Sequence, residues 1–350
     1  MQPIMDKEMK DNYKTIAVSG YYGFDNFGDE AILKVLVKEL KSQNFHVTVF
    51  SKNPEKTGLA LGVKSVYTFA ISKVIETLKS TDVLISGGGS LLQDSTSLKS
   101  LLYYLFVIYT ALRFKKKVII FAQGIGPIRN PIGRLITKMF LRKCTYITVR
   151  DEKSLFRLRG WKLSPDLVSD PVWNLEVKEK LPMGRIGVQL RSWKGLSQKY
   201  LFALARQINS NFSDKEIYIY SFQDALDLDL CKHFEAQLKL VNPDIKTVLL
   251  NGLTIDQTVQ SFSNLDYLIG MRYHACLLAL KYGIPTLALS YDEKVEKIAK
   301  RFELPYSNLE DADRLESLFA ELKNLQTSKI NEKIKACRFD FENILRAINN

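Results

Sequence analysis

Short apolar runs rich in β-branched residues alternate along this chain with stretches whose apolar positions recur every three or four residues. "KTIAVSG" (14–20) is the first such run, and it ends in a glycine loop. "DEAILKVLVKELKSQ" (29–43) follows with helical spacing, and "FHVTVF" (45–50) then alternates as a strand. "TDVLISGGG" (81–89), "KKVIIFAQGIGP" (116–127), "TYITVRDEKS" (145–154) and "DLVSDP" (166–171) repeat the theme, an apolar run breaking into glycine, proline or charge. Strand-like runs alternating with helical patterns, without internal repeats, predict consecutive βαβ units and so a parallel sheet. The loops of such a sheet share one edge, and ligands bind there, beyond the carboxyl ends of the strands.

A second series follows the uneven, two-proline stretch "PVWNLEVKEKLPMGR" (171–185): "RIGVQL" (185–190), "EIYIYSF" (216–222), "IKTVLL" (245–250), "LDYLIG" (265–270) and "IPTLALS" (284–290). The expected fold class is α/β, with two Rossmann-like domains facing across a cleft in the GT-B manner. The expected boundaries are 1–175 and 176–329. In "INEKIKACRFDFENILRAI" (330–348), Ile330, Ile334, Cys337, Phe341, Leu345 and Ile348 are spaced as on an amphipathic helix. Residues 330–350 are therefore expected to form a C-terminal helix packing back across the domain junction.

Composition narrows this picture. The chain has 350 residues, 46% of them hydrophobic, enough for two cores of ordinary size. No run reaches the ~20 apolar residues of a membrane span, and "MQPIMDKEMKDNYK" lacks the apolar centre of a secretory leader, so a cytoplasmic location is expected. Four scattered cysteines form no C-x-x-C pair, which argues against a zinc knuckle or a disulfide framework. The net charge of +12 is concentrated: between Asp94 and Asp151 there are eleven basic residues and no acidic one. Such a field suits a polyanion, an anionic membrane surface or a phosphorylated substrate. No nucleic-acid-binding motif accompanies it, so nucleic acid is not expected as a partner. The apolar "LLYYLFVIYTALRFKKK" (101–117) reads as a buried helix, or as a segment that rests on an anionic membrane together with the basic amphipathic "IGRLITKMFLRK" (132–143).

The loops carry the candidate chemistry. "SGYYGFDNFGDEA" (19–31) contains Gly23, Asn26 and Asp29 but no G-x-G-x-x-G; Asn26 or Asp29 can cap the following helix, and its amides can receive an anion or a sugar hydroxyl. "SGGGSLLQD" (86–94) supplies Gly87, Gly88 and Gly89, which let a ligand approach the backbone, with Gln93, and with Asp94 to orient or deprotonate a hydroxyl or to serve as a helix cap. "AQGIGP" (122–127) carries Gln123, and "TVRDE" (148–152) sets Arg150 at a strand end, where a guanidinium can hold a carboxylate or phosphate. In "GMRYHACLLALKYGIPTLALSYDEK" (270–294), Gly270, Arg272, His274 and Lys294 fall at two neighbouring strand exits. Histidine exchanges protons near neutral pH while arginine and lysine hold anions, so this set describes an acid/base catalyst beside an anion cradle. His46 and His233 lie in a strand and a charged helix and read as structural. The aspartates of "LDLDL" (226–230) read as solvent-facing rather than as metal ligands.

"GYYGFDNFGDEA", "SGGGSLLQD", "AQGIGP", "VRDEKS" and above all "GMRYHA" followed by "SYDEK" resemble the polysaccharide pyruvyl transferase family, particularly its CsaB-type cell-wall enzymes, over about residues 15–300. The resemblance implies phosphoenolpyruvate as donor, with Arg150, His274 and Lys294 in the donor site. Arg272 and Gly270 join them as neighbours. It also implies a lipid-linked saccharide acceptor, N-acetylmannosamine in the closest cases. Gly23, Asn26, Asp29, Gly87, Gly88, Gly89, Gln93 and Gln123 are then expected on the acceptor side. His274 and Asp94 are the expected proton-handling residues, with no metal or further cofactor. Two alternatives stay open: a GT-B nucleotide-sugar glycosyltransferase, and a non-catalytic protein binding anionic glycans or a membrane surface.

Overall fold

The computed structural model describes residues 13–95, 97–181 and 183–350. Most of the amino-terminal stretch read above as lacking a leader lies outside them. Two wholly parallel sheets are present. The first contains β1 (Thr15–Ser19), β2 (His46–Ser51), β3 (Lys64–Tyr67), β4 (Val83–Ser86), β5 (Lys117–Gln123), β6 (Tyr146–Val149) and β7 (Asp166–Leu167), in the order β3-β2-β1-β4-β5-β6-β7. The second contains β8 (Arg185–Gln189), β9 (Glu216–Tyr220), β10 (Lys246–Leu250), β11 (Leu265–Gly270), β12 (Thr286–Ser290) and β13 (Tyr306–Asn308), in the order β10-β9-β8-β11-β12-β13. Both are doubly wound, with the strand order reversing beside the first strand of each series.

The central strands are apolar because helices cover both faces of the sheet. Ile16, Ala17 and Val18 of β1 are buried, with Ile16 in register with Val47 on one side and Val83 on the other. Ile269 of β11 stands likewise between Val188 and Leu287. The outer strands β3 and β13 were not expected from the sequence. β3 reads "KSVY" with only Val66 buried, and β13 has three residues, so neither presents an apolar run. The helix Leu98–Arg113 buries Leu101, Tyr104, Leu105, Val107, Ile108 and Ala111, so the apolar segment after residue 100 is mainly core. No helix among the described residues is long and apolar enough to cross a membrane.

The chain divides into two compact units, and chain order does not separate them cleanly. Residues up to Gly23, Leu36–Val168 and Phe341–Asn350 form the first; Phe24–Val35 and Ser169–Asp340 form the second. Phe24–Val35 groups with the second unit through its bonds: the Phe27 amide donates to the Phe222 carbonyl at 3.0 Å, and their rings lie 4.5 Å apart. Within the first unit, Lys14 and Lys117 both donate to the Ile348 carbonyl, and Phe341 stacks on Phe121.

The carboxyl-terminal stretch departs from the single helix expected. Two helices, Thr327–Lys335 and Glu342–Asn349, are separated by an irregular segment. In that segment Cys337, Phe339 and Phe341 are buried while Arg338 and Asp340 are exposed. Burial that alternates every second residue does not fit a helix, and it interrupts the helical spacing of the flanking positions.

Candidate functional site

In the second sheet the strand order reverses between β8 and β11, where Gln189 ends β8 and fastens the neighbouring exit. Its carbonyl accepts from the Met271 amide at 2.9 Å and its Oε1 from the Arg272 amide at 2.7 Å. Arg272 is the N-cap residue of the helix Tyr273–Lys281, and its own side chain makes no capping hydrogen bond. The N-terminal turn of such a helix carries a partial positive charge at the strand edge.

The Arg272 side chain turns inward. Nε and Nη2 donate to the two oxygens of Asp227 at 2.8 Å each, and Nη2 lies 3.5 Å from Gln223 Oε1. Asp227 is fully buried, which corrects its solvent-facing assignment from sequence. It lies on the inward stripe of its helix with Cys231, Phe234 and Leu238, and that spacing was a usable signal. Gln223 Oε1 also accepts from Asn26 Nδ2 at 3.2 Å, and Asn26 Oδ1 accepts from the Gly28 amide at 3.1 Å, so Asn26 is the residue that caps the helix Phe27–Ser42. Asp29 lies in the first turn of that helix, where a carboxylate suits the dipole.

His274 is the second residue of the helix after β11. Its ring lies against the Gly28 backbone so closely that a Cβ at Gly28 would stand 2.0 Å from Nδ1. Nε2 is buried without a hydrogen bond and lies 3.5 Å from Oδ2 of the buried Asp170. The other Asp170 oxygen accepts from the Val172 amide at 3.0 Å, fixing the carboxylate. Asp170 was missed in the sequence because "SDP" reads as a strand exit and it is remote from His274 along the chain. Gly270 ends β11, where a Cβ would meet Cys276 Sγ and Leu268 Cδ2 at 3.1 Å.

β11 and β12 pair directly, so the exits carrying His274 and Lys294 are adjacent, as expected. Lys294 lies in the first turn of the helix Glu293–Phe302 and is exposed. Asp292 caps that helix, accepting from the Lys294 and Val295 amides at 2.9 and 3.1 Å. Arg191, just beyond β8, also belongs to this edge and was not singled out in the sequence. Its Nη1 donates to the Tyr291 hydroxyl at 2.7 Å, and its guanidinium lies 4.9 Å from the Tyr291 ring centre. Burial, and then Asp292, push the Tyr291 phenol above its ordinary pKa. This edge therefore combines an imidazole facing a carboxylate, a helix start that its N-cap side chain leaves uncapped, and cations at the same edge, the elements needed to bind an anion and move a proton.

In the first unit one side chain fills the space beside two loop glycines. Cβ atoms at Gly20 and Gly87 would strike the Tyr22 side chain at 2.3 and 2.4 Å, so these glycines admit a tyrosine. Gly88 is buried next to Gly87, and Gly89, at φ +80°, accepts through its carbonyl from the Gly124 amide. Gly23, at φ +75°, lies against Ser51 and Asn53. Gln93 Oε1 accepts from the Ser95 amide. Gln123 is buried and donates to the Ser86 carbonyl and hydroxyl at 2.8 and 2.9 Å. Asp94 accepts from the Arg129 and Asn130 amides at 2.7–2.9 Å, and these hydrogen bonds, Asn130 first, hold its carboxyl below the usual range. Such a carboxylate fixes a loop and is a weak base. Arg150 lies at the end of β6, beside Asp151, whose carboxylate caps the next helix.

The fold is shared with sugar-nucleotide enzymes. UDP-GlcNAc 2-epimerase from Neisseria meningitidis, solved bound to UDP-GlcNAc, superposes with a TM-score of 0.65 at 11% identity, over 96% of this chain and 99% of that one. A putative UDP-N-acetylglucosamine 2-epimerase from Listeria monocytogenes gives 0.66 at 11%, over 96% of each chain. A glycosyltransferase from Rickettsia africae gives 0.58 at 13%, also over 96% of each chain. At these identities the likeness establishes the GT-B-like two-domain fold alone. No curated protein matches the chain in sequence. The family described as polysaccharide pyruvyl transferase matches residues 26–293, which takes in Asn26, Arg150, Asp170, Arg272 and His274 and stops one residue short of Lys294. With three quarters of its length matched, this chain belongs to the polysaccharide pyruvyl transferase family.

Proposed function

We propose that the protein transfers the pyruvyl group of phosphoenolpyruvate to a saccharide, forming a cyclic ketal and releasing phosphate. The acceptor proposed is an N-acetylmannosamine unit on a lipid-linked precursor, a choice that rests on the family resemblance. The observation that carries the donor chemistry is His274, wedged against Gly28 and facing Asp170 at a helix start that its N-cap side chain leaves uncapped.

In this reading protonated His274 gives its proton to the methylene carbon of phosphoenolpyruvate, and Asp170 stabilises the imidazolium beforehand. A saccharide hydroxyl adds to C2 and returns its proton to the imidazole. A second hydroxyl then displaces phosphate from C2, and its proton leaves with the phosphate. Lys294 and the helix start meet the donor's negative charge. Arg272, held by Asp227, acts as a positioning residue. Arg150 is carried over from the resemblance as a donor ligand and is tested separately.

The test is phosphate release from phosphoenolpyruvate in the presence of candidate acceptors, beside release of UDP from nucleotide sugars. His274→Gln is expected to lower kcat roughly 10²–10⁴-fold with donor affinity nearly unchanged. Lys294→Ala and Arg150→Ala are each expected to weaken calorimetric donor binding by about 1.5–3 kcal/mol, the range for a lost charge-assisted hydrogen bond. Because side-chain cations meet the phosphate charge, turnover is expected to persist in excess EDTA. UDP release without phosphoenolpyruvate turnover would move the protein to the glycosyltransferases, and normal turnover by folded His274→Gln would remove the histidine from the mechanism.

A further inference from the structure

The helix Pro131–Leu141 of the first unit packs by its small side. Gly133, Thr137 and Leu141 are buried at successive turns, and a Cβ at Gly133 would lie 3.2 Å from Leu101 Cδ2 of the helix Leu98–Arg113. The Thr137 hydroxyl is satisfied by the Gly133 carbonyl at 2.7 Å. The larger aliphatic residues Ile132, Leu135 and Met139 are left outside. On the partner helix Leu98, Leu102 and Tyr109 are also outside, and all six side chains are 41–67% exposed. The Tyr109 ring stacks on Phe140, with centroids 5.6 Å apart, which makes the two faces continuous. Arg134, Lys138, Arg142 and Lys143 accompany the aliphatic row, and no acidic residue occurs between Asp94 and Asp151.

We infer that the paired outer faces of these two helices are a docking surface for an anionic lipid bilayer. The aliphatic row enters the boundary between headgroups and acyl chains, and the basic residues meet the headgroup charge. A nucleic acid matches the charge but leaves the aliphatic row in water. A second copy of this chain, set across a two-fold axis, brings basic face to basic face. The inference rests on exposure and charge, and it stands independently of pyruvyl transfer.

The test is flotation of the full chain with phosphatidylcholine vesicles, with and without phosphatidylglycerol. Binding is expected only with phosphatidylglycerol, weakening as salt is raised. Arg134→Gln, Lys138→Gln and Arg142→Gln are each expected to lower partitioning about fivefold. The triple variant Ile132→Ser, Leu135→Ser, Met139→Ser is expected to lower it at least about tenfold while still unfolding cooperatively, since Ile132 and Leu135 are mostly in water and Met139 is half in water. No binding at low salt, equal binding to neutral vesicles, or full binding by the triple serine variant would each overturn the inference. So would a self-association that the triple variant abolishes in a protein that ignores vesicles. Turnover of a water-soluble acceptor is expected to be the same in all these variants, so failure of lipid binding and failure of pyruvyl transfer are separately visible.

Discussion

One added carbon at residue 28 would stand 2.0 Å from His274 Nδ1, so the imidazole keeps its position only against a glycine. Gly28→Ala separates catalysis from stability. Alanine favours the helix by up to about 1 kcal/mol over glycine, which offsets part of the strain, so melting is expected to move little. The ring must move by an ångström or more, and kcat in the proposed pyruvyl transfer is expected to fall at least about tenfold. An alanine variant with unchanged kcat would show that the ring's position is unimportant. The position of His274 at a strand exit was legible in the sequence, because the apolar strand and the turn after it lie within one local stretch. Gly28 and Asp170, which fix it, were not, since local spacing carries no record of which remote residue the ring will touch.

At the scale of elements, the Arg272–Asp227 pair fastens the exit of β11 to the helix Asp224–Val241. Both partners are buried, so removing one strands the other's charge. Asp227→Ala is expected to destabilise the protein by about 3–5 kcal/mol, read from urea unfolding. A loss below about 1 kcal/mol would mean that water reaches the guanidinium. The central strands and their helices were readable because burial on both faces demands continuous apolar runs. The glycine run at 87–89 left its neighbour open for a physical reason: a glycine leaves room for whatever approaches, and at Gly87 the approaching group is the protein's own Tyr22. Asp94 is similar, because a carboxylate holding loop amides has the same sequence signature as one awaiting a substrate.

For the molecule as a whole, stability against pH carries a mark of Lys281. Burial lowers its ammonium from the ordinary 10.5 to about 8. Below pH 8 both folded and unfolded chains hold the proton, and the cost of burying the charge is fully present. Between pH 8 and 10.5 the unfolded chain binds the proton more readily, so folding stability rises with pH through that window. Wild type is therefore expected to gain stability relative to Lys281→Met between pH 8 and 10.5 in urea unfolding, and a constant difference would refute the burial cost. The two-unit plan was readable from the two strand series, but the exchange of segments between the units was not, because it depends on contacts such as that of Phe27 with Phe222.

That exchange ties the folding of the first unit to the timing of synthesis. Phe341–Asn350 belongs to the first unit but is translated ~170 residues after Val168, where the body of that unit ends. At about 5–20 residues per second, the nascent first unit waits roughly 9–35 s for its last helix, with the face of β5 near Phe121 uncovered meanwhile. Translation speed through the second half of the message thus becomes a folding parameter for the first. A chain interrupted anywhere after Val168 and before Phe341 leaves the ribosome without the residue that stacks on Phe121.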